Sequence, residues 1–204
     1  MKRIGIMGGT FDPVHNGHLL LGKQAYMEYR LDEIWYMPSH IPPHKKDHHV
    51  TDSESRLAML YLALRDIPYC KVSEFEMERE GNTYTAQTLK LLKETYPEYQ
   101  FYFIIGADSL FQLETWYHPR EVMELTSLLV SGRECESDGK TLEGQITHLK
   151  EAYGADIQLL HNEEVDIASA EIRKRAADGK DIRKAVPRAV ADYIEAHRLY
   201  HTGT

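Results

Sequence analysis

Short strand-like stretches alternate along this chain with longer stretches that carry apolar residues at helical spacing. RIGIM (3–7), EIWYMP (33–38), YCKVSEFE (69–76), QFYFIIG (100–106), SLLVSG (127–132) and DIQLL (156–160) read as strands. Residues 17–29, 51–66, 85–96, 143–153, 169–178 and 187–197 read as helices. Several of the strands are apolar throughout and have no face to give to water, so they belong in a sheet covered above and below. Strands of that kind alternating with helices predict an α/β fold, a doubly wound parallel sheet. The 204 residues are read as one domain spanning 1–204, with 165–204 as a C-terminal helical part. In such sheets ligands bind beyond the carboxyl ends of the strands. Chemistry is therefore sought in residues 8–18, 39–49, 106–116, Arg133 and its neighbours, and 161–173.

The net charge of −8 argues against a nucleic-acid partner, so the cations that meet an anionic ligand must be local. The two cysteines, Cys70 and Cys135, supply neither a disulfide framework nor a paired metal site, which fits a reducing cytoplasm. The opening apolar run is too short for a signal peptide, and no stretch approaches the ~20 apolar residues of a membrane span.

The exit of the first strand, GGTFDPVHNGHL (8–19), carries the densest chemistry. Gly8 and Gly9 let backbone approach a ligand, and the helix that follows offers unpaired N–H groups to a phosphate. The glycines do not form the dinucleotide GxGxxG pattern. GHLLLGKQ (17–24) matches GxxxxGK but lacks the metal-binding hydroxyl and reads as helix. His15 and His18 are three residues apart, which places both rings on one side of the first helical turn. Two imidazoles there can hold a phosphoryl group in transfer, a reaction that asks mainly for positioning and for donors aimed at oxygens gaining charge.

His15-Asn16-Gly17-His18 resembles the (H/T)xGH signature of the nucleotidyltransferase superfamily, and the full string GGTFDPVHNGHL is similar to that of the nicotinate-nucleotide adenylyltransferase family. The resemblance implies a Rossmann-like nucleotidyltransferase fold and adenylyl transfer from ATP to nicotinate mononucleotide, giving deamido-NAD and pyrophosphate. It runs in order and spacing from Gly8 to Arg173.

Further motifs carry the same resemblance. PPHKKD (42–47) lies in a loop whose Pro42-Pro43 blocks regular structure, and the family makes His44 and Lys45 phosphate donors there. NTYTAQTL (82–89) is similar to the family's YT-x-x-T segment, in which Tyr84 and Thr85 lie near the nicotinate; Thr85 can also cap the helix, and Gln87 stands where the family usually has Asp. In IIGADSLFQLETWY (104–117), Gly106 adjoins ATP, Asp108 can accept from a ribose hydroxyl and Trp116 can stack on the pyridine. DIASAEIR (166–173) is similar to the ISSTxIR phosphate motif, with Ser169 expected to cap the helix and Arg173 one turn on. Ala168 and Ala170 replace two hydroxyls of that motif. Arg133, just past a strand, joins the ATP set.

The resemblance thus implies His15, His18, Lys45 and Arg173 as the catalytic set. ATP falls to these with Gly8, Gly9, Thr10, Phe11, His44, Gly106, Arg133 and Ser169, and the mononucleotide to Thr10, Tyr84, Thr85, Asp108 and Trp116. The C-terminal helical part completes the ATP site. Mg²⁺ arrives with ATP, with no protein-held metal and no tightly bound organic cofactor; the partners are the two substrates, with neither nucleic acid nor membrane, and a homo-oligomer is compatible. A different adenylyl or cytidylyl acceptor such as pantetheine phosphate, a non-catalytic nucleotide sensor, and a transition-metal site among His40, His44, His48 and His49 are the competing readings. Preference for the acid over the amide mononucleotide stays open, since backbone N–H groups do not show in a sequence.

Overall fold

The computed structural model describes residues 1–39, 50–79, 83–132, 136–137, 140–161 and 167–201. Its strands are β1 (Lys2–Gly9), β2 (Glu33–Pro38), β3 (Cys70–Val72), β4 (Tyr99–Gly106), β5 (Ser127–Ser131), the two-residue β6 (Glu136–Ser137) and β7 (Lys140–Thr141), and β8 (Ile157–Leu160). Its helices are α1 (Asn16–Glu28), α2 (Ser53–Leu64), α3 (Thr85–Thr95), α4 (Ala107–Gln112), α5 (Pro119–Leu125), α6 (Leu142–Tyr153), α7 (Ser169–Ala177) and α8 (Arg188–Ala196). β6 and β7 pair as a small antiparallel ribbon, and the other six strands form one sheet in the order β3-β2-β1-β4-β5-β8, every pair parallel. The expected doubly wound parallel sheet is what the chain builds.

The strand sequences show why both faces are covered. Along β4, Phe101, Phe103 and Ile105 enter one hydrophobic cluster while Tyr102 and Ile104 enter the other. Side chains alternate across a strand, so an unbroken apolar run feeds two cores at once. One cluster gathers α3, α4, α5 and α6; the other gathers α1, α2, α7 and α8, with Ile172, Val190 and Ile194 carrying the C-terminal helices onto the sheet. Where α1 crosses β2 the approach is tight. A Cβ on Gly22 would lie 2.2 Å from the Tyr36 hydroxyl, which donates to the His18 carbonyl at 3.1 Å. Gly22 therefore sets how close the first turns of α1 come to the sheet.

Two local expectations are corrected. The strand read over 69–76 pairs only at 70–72, because the sheet ends there and the chain turns, Met77 N–H donating to the Glu74 carbonyl at 2.7 Å. Between β4 and β5 the chain also forms α4, a 3-10 turn (Leu113–Thr115) and α5, none of them expected. The first two are shorter than a hydrophobic repeat can reveal. α5 did carry a signal, Pro119 at its first position and buried Val122 and Met123 one turn on.

Candidate active site

Strand order reverses between β1 and β4, the place where a parallel sheet leaves a crevice at its carboxyl edge. A cavity of about 430 Å³ opens there. Gly8, Gly9, Thr10 and His18 form one wall, Gly106, Ser109 and Gln112 the floor beyond β4, and Thr83, Tyr84, Thr85, Trp116 and Tyr117 the opposite wall. A larger cleft, about 610 Å³, lies between α7 and residues 181–185, away from the β1–β4 switch point.

His15 is the residue before α1, and His18 is in its first turn. Their rings stack with centroids 3.6 Å apart and planes 25° from parallel. The His15 backbone N–H donates to His18 Nδ1 at 3.2 Å. A backbone N–H can only donate, so His18 Nδ1 carries no proton, and the neutral ring presents Nε2–H as its donor. Burial holds His15 down to about 4, and burial together with the charge of His15 holds His18 down to about 3. Both imidazoles are thus neutral at pH 7. Phe11 supports them: its ring meets His18 edge-on at 5.0 Å and is itself 2 % exposed, so its side chain belongs to the core behind the site and not to the cavity wall. Gly9 makes room for it, since a Cβ there would come within 3.2 Å of that ring.

The loop between β1 and α1 has no strand ladder of its own and is held by side chains. Arg56, 1 % exposed, donates Nη1 to the carbonyls of Thr10 and Ser39, both at 2.9 Å, and Nε to the Thr51 carbonyl at 3.0 Å. One guanidinium thereby ties the exits of β1 and β2 to the start of α2. Asp12 is 3 % exposed, and its Oδ2 accepts the Thr51 backbone N–H at 3.2 Å. Arg173 Nη1 donates to the Asp12 carbonyl at 2.7 Å, and Ser169 Oγ donates to the Pro13 carbonyl at 3.0 Å. The capping role expected for Ser169 is not observed. Ala168 is the residue before α7, and the Ser169 hydroxyl is spent on the loop instead.

The opposite wall is aromatic. Trp116 is half-buried and meets Phe103 edge-on at 6.2 Å, so part of its ring packs on the core and part faces the cavity. Tyr84 and Tyr117 lie with ring centroids 4.4 Å apart. Tyr84, not Thr85, precedes α3, and no side chain caps that helix, so capping does not occupy the Thr85 hydroxyl. Beneath this wall Glu76 accepts from the hydroxyls of Thr83 (3.0 Å) and Thr88 (2.7 Å), bracketing the start of α3, and burial raises its pKa. Gln87, in the Asp position, accepts from Arg79 at 3.3 Å. Asp108 is exposed in the first turn of α4, beside the cavity and off its lining.

His44, Lys45 and Arg133, like His40, His48 and His49, lie outside the described residues. Asp12, Arg56 and Glu76, and the cavity-lining Thr83, Ser109, Gln112 and Tyr117, escaped the sequence reading. Arg56 had a signal, because Arg56, Met59, Leu60, Ala63 and Leu64 form the buried stripe of α2, and a charged residue on such a stripe needs partners.

Comparisons with known proteins place the chain in a family. The chain matches the cytidylyltransferase-like family over residues 6–175. It is 44% identical over 200 residues to a probable nicotinate-nucleotide adenylyltransferase of Lachnoclostridium phytofermentans, covering 98% of this chain and 100% of that one. It is 40% identical over 205 residues to the nicotinate-nucleotide adenylyltransferase of Bacillus subtilis, covering 99% and 100%. Its fold is shared with the Plasmodium falciparum nicotinic acid mononucleotide adenylyltransferase complexed with NaAD, at TM-score 0.79, 23% identity and 98% of each chain.

Proposed function

The chain belongs to the nicotinate-nucleotide adenylyltransferase family, within the cytidylyltransferase-like group, and on that premise we propose how its site carries out adenylyl transfer from ATP to nicotinate mononucleotide. A phosphate oxygen of the mononucleotide attacks the α-phosphorus of MgATP in line. The bond from that phosphorus to the β-bridging oxygen breaks, pyrophosphate leaves, and deamido-NAD remains. No covalent enzyme intermediate forms.

The observation that carries this reading is the stacked, neutral His15–His18 pair at the switch point of the sheet, with His18 lining the cavity and its Nε2–H left as the ring's donor. A donor already oriented and desolvated stabilises the charge that gathers on α-phosphate oxygens without rearranging during the step. Gly8, Gly9 and Thr10 let the phosphates approach backbone, with His44, Lys45 and Arg133 as further ATP contacts. Ser169 and Arg173, in the C-terminal helical part, complete the ATP site chiefly by fixing the loop that carries His15. Tyr84, Thr85 and Trp116 receive the pyridine and Asp108 reaches the ribose. Mg²⁺ is carried by the phosphate oxygens of its nucleotide, as this ion commonly is. The chain works in the cytoplasm; among the described residues no helix is long and apolar enough to cross a membrane.

Pyrophosphate release with MgATP and, in turn, nicotinate mononucleotide, its amide and pantetheine phosphate tests the assignment. The acid mononucleotide is expected to support turnover. Release only with pantetheine phosphate, or nucleotide binding with no release from any acceptor, would replace it with the other-acceptor or the sensor reading.

A further inference from the structure

The backbone that carries His15 is gripped from the far end of the chain. The Asn16 backbone N–H donates to the Ala185 carbonyl at 2.9 Å and its side-chain amide to the Lys184 carbonyl at 3.1 Å. One more contact comes from a residue 188 positions away: the Tyr200 hydroxyl donates to Asp12 Oδ1 at 2.7 Å. Thr51 holds the other carboxylate oxygen. Asp12 is thus a buried carboxylate with each oxygen engaged, three residues before His15.

The route by which Tyr200 arrives is costly. After α8 the Leu199 N–H closes on the Ile194 carbonyl at 3.0 Å, and Arg198 and Tyr200 take left-handed φ values of 50° and 68°. Residues other than glycine rarely adopt that conformation, and it persists only where the surroundings over-determine it. Here those surroundings are the half-buried Tyr200 ring, packed against the cluster of α2 and α8, and the Asp12 carboxylate. Arg56 and Arg173 supply positive charge near the pair. A hydrogen bond to a desolvated carboxylate is stronger than one between neutral groups. With no strand ladder through residues 10–15, the position of both imidazoles depends on side-chain bonds of this kind.

We propose that Tyr200 is a positioning residue for the His15–His18 pair, fixing through Asp12 the backbone register at which the two rings stack. The proposal rests on the pair being the reaction centre. A hydroxyl that merely pinned the C-terminal segment would add stability and leave the rings where they are.

Tyr200→Phe removes the hydroxyl alone. Pyrophosphate release at saturating MgATP and nicotinate mononucleotide is expected to fall about tenfold in kcat, the worth of one charge-assisted hydrogen bond, with both KM values within about twofold. In substrate-free protein, the ring nitrogen NMR signals of His15 and His18 are expected to shift. Asp12→Asn is expected to shift the same signals, and the double variant to lose less than the two single losses combined. Tyr61→Phe, which deletes an exposed hydroxyl bonded to Glu74, leaves both readouts as in the parent. Unchanged kcat, or unshifted imidazole signals, in Tyr200→Phe overturns the proposal. Should the parent itself release no pyrophosphate, the reaction reading falls while the ring signals still decide the positioning role.

Discussion

The two walls of the cavity are built in opposite ways. On the β1 side the two imidazoles are fixed by a network of hydrogen bonds. His15 and His18 are locked to each other, backed by Phe11, and carried on a loop that Arg56, Asp12, Ser169 and Arg173 hold by hydrogen bonds. On the α3 side Tyr84 and Tyr117 lean on each other, Trp116 meets Phe103 edge-on, and Tyr117 is 46 % exposed. The first wall has already met its reorganisation cost before substrate arrives, which suits stabilisation of a transition state. The second offers aromatic faces that settle on a ligand, which suits affinity. Rate and binding should therefore separate when the two walls are altered.

The largest separation is expected at His18. His18→Ala should lower kcat by ~10²–10³, the usual loss for a charge-stabilising donor, with a much smaller change in the mononucleotide KM. Steady-state pyrophosphate assays check this, and a variant turning over within a few-fold of the parent would erase the distinction between the walls.

Acid should weaken the histidine wall selectively. The unfolded histidines titrate near 6.5, whereas the folded ones are held at about 4 and about 3 by burial. Between those values the unfolded chain binds protons that the folded chain refuses. The stability contributed by the neutral pair is thus fully present above pH 6.5 and is lost as pH falls toward 4. Urea midpoints at pH 7.5 and pH 5 measure the loss, and His15→Gln should flatten it; an equally steep fall in that variant would assign the effect elsewhere.

The smallest effect belongs to the aromatic wall. Trp116→Ala should raise the mononucleotide KM about tenfold, the worth of one aromatic stacking contact, with kcat nearly kept. A loss confined to kcat would mean that Trp116 serves the reaction centre and that the two walls are not functionally distinct.

Much of this was readable before any coordinates. The bounds of β2 coincide with the apolar run 33–38, and helices predicted at 85–96 and 169–178 appear as α3 and α7 with ends shifted by one residue. Those patterns are local, and local apolar periodicity is what a sequence displays. GHLLLGKQ lies inside α1, in keeping with the reading against a P-loop. The cap expected at Ser169 failed because a hydroxyl at a helix start has more than one partner within reach. Which one it takes depends on the tertiary structure, and for Ser169 the Pro13 carbonyl, 156 residues away, took the hydroxyl.

By itself the sequence determined the parallel sheet, the strand exit beside which the cavity opens, and the two imidazoles placed there, since each follows from residues close together in the chain. Only the tertiary structure decided which protonation state those imidazoles hold and what keeps them in place. Burial sets the first. The second depends on Arg56 reaching Thr10 and Tyr200 reaching Asp12, contacts between residues 46 and 188 positions apart. Separations of that size leave no periodic trace in the chain, because the partners become neighbours only when the sheet and its two helical layers have closed.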